Sequence, residues 1–121
     1  MRRFSLLAPL ALLIGCGATY ETAGQYTLSE SQVASIEAQV RRTLIDEESA
    51  RFRNIRAVQL DNVSGEPEAL FCGEVNSRNR MGGYAGYQIF HGVVSEDKPQ
   101  LLSNEMNVNG LLACRDVLGY R

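Results

Sequence analysis

The stretch from Phe71 to Phe90, FCGEVNSRNRMGGYAGYQIF, leaves this chain few ways to fold. It carries one of the three cysteines, a Gly82-Gly83 turn signal and most of the polar and aromatic residues with functional promise. The pattern predicts a β-hairpin, or two strands, Ala69 to Asn76 and Tyr84 to Val94, joined by the loop from Ser77 to Gly83. The other segments read as elements that pack on this unit, brace it or tether it.

With 121 residues there is room for one domain. A core built with no Trp and only 4 Phe must be largely aliphatic. The formal net charge is −2, and losing a leader that contains Arg2 and Arg3 would take it to about −4. That balance argues against a nucleic-acid partner, which usually requires a basic face.

The N-terminus, MRRFSLLAPLALLIGC, follows Arg2 and Arg3 with an apolar run from Phe4 to Ile14. This is the layout of an export signal spanning residues 1–15. A run of ~11 residues falls well short of the ~20 needed to cross a bilayer. Leu13-Ile14-Gly15-Cys16 resembles the lipobox of bacterial lipoproteins. The resemblance implies acylation of Cys16, which becomes the new N-terminus, and a membrane partner reached through that lipid. Several acyl chains, at ~0.8 kcal/mol per buried CH₂, make a durable anchor. Gly17 stands where Asp tends to mark inner-membrane retention in envelope lipoproteins, so the resemblance points to the outer membrane, facing the periplasm, in a Gram-negative cell.

Residues 16–27 are small and polar and read as a flexible tether, leaving 28–121 as the folded domain. A first helix is expected from Leu28 to Ile45, because Val33, Ile36, Val40 and Leu44 line one face. Thr27 with Glu30, or Ser29 with Gln32, fits a capping box at its start. Asp46 suits the N-cap of a short second turn. Phe52 to Leu60 reads as a strand, and Gln100 to Ser103 as a weak fourth one. Arg51, Arg53 and Arg56 face water, pair with the acidic residues just before them, or form a basic patch. A last helix from Gly110 to Leu118 would align Leu111, Cys114 and Leu118. The expected fold is α+β: a small antiparallel sheet of three to four strands with an N-terminal and a C-terminal helix packed on one face.

With Cys16 acylated, Cys72 and Cys114 remain, and an even count in an exported chain argues for a disulfide between them. A metal site from Cys72, Cys114 and His91 lacks paired ligand spacing, so no metal and no cofactor is expected. No nucleophile–base motif is visible and no catalytic residue is assigned. Glycines 82, 83 and 86 lack the spacing of a nucleotide cradle; they suit a positive-φ turn, with Gly86 where another backbone or ring comes close.

The candidate binding patch is Glu74, Asn76, Asn79, Tyr84 and Tyr87. Glu74 and Asn76 share a strand face with Tyr84 across the loop. The competing reading has Asn76 and Asn79 satisfying turn amides. As the one fixed charge in the set, Glu74 favours a basic or hydroxyl-rich partner. The run Cys72-Gly73-Glu74-Val75-Asn76, followed by Asn79, Gly82-Gly83-Tyr84, Gly86-Tyr87 and Phe90, resembles a group of small exported bacterial proteins with a CGEVNxxNxxGGYxGYxxF segment. With Asp46 and Ser49 to Asn54, the likeness covers less than half the chain. It implies an envelope address and a shared small fold, and transfers no catalytic residue. The functional expectation is a binding or structural module with an envelope protein partner; the alternative is a small hydrolase or transferase acting on envelope material.

Overall fold

The computed structural model describes residues 22–61 and 67–103, and at the C-terminus Leu112, Cys114, Arg115 and residues 117–119. The signal at 1–15, the lipidation site Cys16 and the first part of the tether lie outside the described residues. Five strands form one sheet in chain order: β1 (Thr22–Tyr26), β2 (Arg51–Leu60), β3 (Ala69–Asn76), β4 (Gln88–Ser95) and β5 (Lys98–Ser103). Every neighbouring pair is antiparallel. One continuous helix, α1 (Glu30–Arg41), connects β1 to β2, followed by a 3₁₀ turn at Glu47–Ser49.

The expected α+β arrangement, with three to four strands and two helices on one face, is overturned. The fifth strand, β1, forms inside the segment read as tether, where Gln25 and Tyr26 pair with Val58 and Ala57. A five-residue edge strand with two small residues (TAGQY) has almost no apolar alternation to announce it. The single continuous helix is N-terminal. Leu112, Cys114, Arg115, Val117 and Leu118 have helical backbone, but at separated described positions. They do not share the face of α1.

The alternation of β3 explains why. Side chains along a strand point to opposite faces in turn. Phe71 and Val75 join Ile36 and Val40 of α1, together with Ala57, Phe90 and Val94. Cys72, between them, points the other way and packs with Ile89, Cys114 and Val117. Whatever is bonded to Cys72 must lie across the sheet from α1. Covered on both sides, β3 is buried at six of its eight positions.

The main core centres on Phe71 and Phe90, both without solvent exposure. Each contributes ~1.5–3 kcal/mol by burial. Phe52 meets Phe90 edge-on at 6.0 Å between ring centres. Two glycines make room for these rings. A Cβ on Gly73 would overlap the Phe90 ring, and one on Gly92 would overlap the Phe71 ring and the Gln100 carbonyl. Gly86 was expected at such a close approach. It is instead in the left-handed region, φ +98°, with nothing close by.

α1 begins at the Ser29–Gln32 capping box: the Ser29 side chain accepts the Gln32 N–H, and the Gln32 side chain accepts the Ser29 N–H. Its other side chains brace the sheet edge. The Gln39 amide donates to the Pro99 carbonyl at 2.9 Å and accepts the Leu101 N–H at 2.9 Å. Gln39 thus stands in for a sixth strand along β5. On the opposite side β1 stops at Tyr26, opposite Ala57, and no described strand continues beside Arg51 to Arg56.

Candidate functional site

The site lies at the end of the sheet where β3 leaves and β4 returns. Its loop is held by its own hydrogen bonds. Asn79 accepts the N–H groups of Met81 and Gly83 on its side-chain oxygen, at 3.0 and 3.2 Å. Its backbone N–H donates to the Gly83 carbonyl. Asn76 accepts the Gly86 N–H at 3.1 Å. Gly82 supplies the left-handed turn, φ +81°. Arg78 and Tyr84 form a β-bridge across the loop. Ser49 clamps it from outside: its hydroxyl oxygen accepts the Arg78 N–H at 2.8 Å, and its carbonyl accepts the Tyr84 hydroxyl at 3.0 Å.

Glu74 does not join an open patch. It is 4% exposed. Arg53 grips it with a two-pronged guanidinium contact, at 3.1 and 3.2 Å. Asn54 donates to the same carboxylate at 2.7 Å. These partners reach Glu74 because β2 bulges: Asn54 and Ile55 together lie opposite Gly73 alone, between the Arg53–Glu74 and Arg56–Cys72 pairs. Asn54 takes φ +54°, a conformation that Asn tolerates better than most residues. The Arg53 guanidinium lies over the Tyr87 ring, 3.5 Å from its centre. Tyr84 receives two arginines, Arg51 at 4.3 Å and Arg78 at 5.5 Å.

The five sequence-predicted residues therefore divide. Glu74 is the buried end of an ion pair. Asn76 and Asn79 bond loop amides. Tyr84 and Tyr87 are half-buried aromatic platforms under arginines. Sequence reasoning missed Arg51, Arg53, Asn54, Arg78 and Ser49 as parts of this end. The signal for two of them was arginine at every second position, Arg51 and Arg53, which puts both on one strand face. Arg53 pairs across the sheet with Glu74. The expected charge preference changes with it. Glu74 is neutralised by Arg53, and Arg51, Arg78 and Arg80 are further exposed cations at this end.

The predicted disulfide is present: Cys72 and Cys114 are bonded, with 5.7 Å between Cα atoms. His91 lies opposite Cys72 in the β3–β4 register. Its Nδ1 is buried without a hydrogen-bond partner among the described residues. Burial holds its pKa below the ordinary value. Among the described residues no cluster of three or more His, Cys, Asp and Glu side chains could hold a metal. None of the described helices is long and apolar enough to cross a membrane. A half-open concavity of about 430 Å³ lies where β1 stops, lined by Tyr26, Leu28, Val33, Ile55 and Val117 with Arg56 at its side.

No family model matches this chain, and no match to it is found among curated proteins or solved structures.

Proposed function

We propose that this is a lipid-anchored protein of the cell envelope that acts by binding an envelope protein, with the Arg–Tyr end of its sheet as the binding surface. The address rests on Leu13-Ile14-Gly15-Cys16 behind an apolar run, with Gly17 favouring the outer membrane in a Gram-negative cell. The observation that carries the binding reading is the preformed loop. Arginine guanidinium groups seated on Tyr84 and Tyr87 offer rigid contact area and charge together. A surface already held by internal bonds loses little ordering entropy when a partner arrives.

The tests follow from the parts. Labelling with a fatty-acid analogue should tag the protein, and Cys16→Ser should abolish the tag; an unlabelled, soluble periplasmic protein would end the anchor reading. Crosslinking in the native envelope should yield one stoichiometric protein partner. Turnover of a cell-wall fragment by the purified protein would replace binding with catalysis.

A further inference from the structure

We infer that the loop tip from Arg78 to Met81 is the contact that holds the partner, and that the partner presents an apolar pocket rimmed by carboxylates. This rests on the binding reading above and names its contact and chemistry.

Met81 is 93% exposed, the most open large hydrophobic side chain among the described residues; Ile45 follows at 65%. One exposed apolar side chain is ordinary on any surface. The setting of Met81 is not. Its own N–H is fixed by Asn79, the Gly83 N–H is fixed by the same oxygen, and the Arg78 N–H is fixed by Ser49. The loop thus holds a flexible thioether at a defined point in water. Met adapts to irregular pockets, which suits it to an anchoring role.

Arg78 and Arg80 flank this side chain and are exposed. Among the described residues no carboxylate stands within ion-pair distance of either. The acidic run from Asp46 to Glu48 comes just before Ser49, and there the Arg41 guanidinium donates to the Glu47 carbonyl. Arg51 adds a third exposed cation beside Tyr84. An apolar point on a loop that carries exposed cations matches an apolar pocket bordered by anions.

The topology favours a protein over the anchoring membrane. Thr22 pairs with Leu60, at the opposite end of the sheet from Asn76 and Arg51. The eight residues of β3 span ~26 Å at ~3.3 Å each. The chain from Cys16 to Thr22 reaches at most ~21 Å when fully extended. It is too short to turn the domain over and point the tip end-on at the bilayer holding Cys16. A polymer of phosphates or sugars would meet the arginines but offer no pocket to Met81.

The test places a photo-crosslinking residue at position 81 of the full-length protein in its native envelope, with position 96, at the other end of the sheet, as control. The expected result is one discrete protein adduct from position 81 and none from 96. Its crosslinked peptide should map to a surface rich in Asp and Glu, and the yield should fall as salt rises. In the purified pair, Met81→Ser should weaken binding at least tenfold, and Arg78→Glu with Arg80→Glu by a similar factor, with melting temperatures unchanged. An unaffected affinity in both variants would overturn the tip assignment and leave the binding reading standing, whereas a protein adduct from position 96 alone would overturn the tip and the Arg–Tyr end together. No protein adduct from any exposed position would end both. Equal binding of the wild type and Met81→Ser to phosphatidylglycerol vesicles, with no protein adduct at 81, would replace the protein partner with a lipid surface.

Discussion

Arg53 and Glu74 show how one cross-strand pair can consume a residue that looked functional. The carboxylate is almost fully buried while the guanidinium is half exposed. Removing the arginine strands a buried charge, but the open side of the pair lets water compensate in part. Arg53→Ala should therefore cost ~2 kcal/mol in urea unfolding, less than the 3–5 kcal/mol of a fully buried pair. Glu74→Gln should cost less, since it leaves the solvated arginine behind. The two glycines under the rings are stricter. Gly92→Ala would force the Phe71 ring and the Gln100 carbonyl apart, and little or no folded protein should be recovered by circular dichroism. His91 sets a pH dependence. Its folded pKa lies below 6.5 because burial disfavours the charged imidazole. The unfolded chain therefore takes up the proton first as pH falls. This contribution is complete above about pH 6.5 and is lost as pH drops toward the folded pKa. The melting temperature should decline between about pH 6.5 and 5, above the ordinary carboxylate range, and His91→Gln should flatten that slope.

Among the elements, α1 and β5 stabilise each other through one side chain. Gln39→Leu leaves the Pro99 carbonyl and the Leu101 N–H without their side-chain partners and should cost ~1–2 kcal/mol. It would also bare a strand edge, so light scattering on heating should rise earlier than in wild type. The opposite edge, Arg51 to Arg56, is protected by its bulge and its arginines. β3 was legible to its last residue because its run of apolar residues ends in turn formers on both sides, and its bounds are those expected. The helix stripe was legible too, although α1 is shorter than predicted, since only Ile36 and Val40 of the expected stripe are fully buried. What escaped notice was long-range. β1 gains its structure from β2 and has little signal of its own. Tyr84 looked like the start of a strand but makes only a bridge to Arg78, and β4 begins at Gln88. The Arg53–Glu74 contact depends on a register that a bulge shifts, and nothing local to either residue reports it.

For the molecule as a whole, the Cys72–Cys114 bond spans 42 positions and joins the sheet to the face opposite α1. The chain-entropy relation assigns ~4 kcal/mol to a closed loop of that size. Both cysteines are fully buried, so a mild reductant should open the bond only once the protein unfolds, and thiol reagents should label neither before that reduction. Cys72→Ala with Cys114→Ala should lower stability by up to ~4 kcal/mol in denaturant unfolding and loosen the second core cluster first. The position of β1 has a mechanical consequence. If tension enters at Cys16 and leaves at Met81, it runs along the strands, because Thr22 and the tip lie at opposite ends of the sheet. The β1–β2 ladder is then sheared with its rungs loaded together, not peeled open one after another. A pull between residue 22 and residue 81 in a single-molecule instrument should meet a higher rupture force than one between residues 22 and 60, which start side by side at the same end. With the proposed anchor at one end and the proposed partner at the other, a short edge strand that is barely visible in the sequence would be the strain-bearing joint between them.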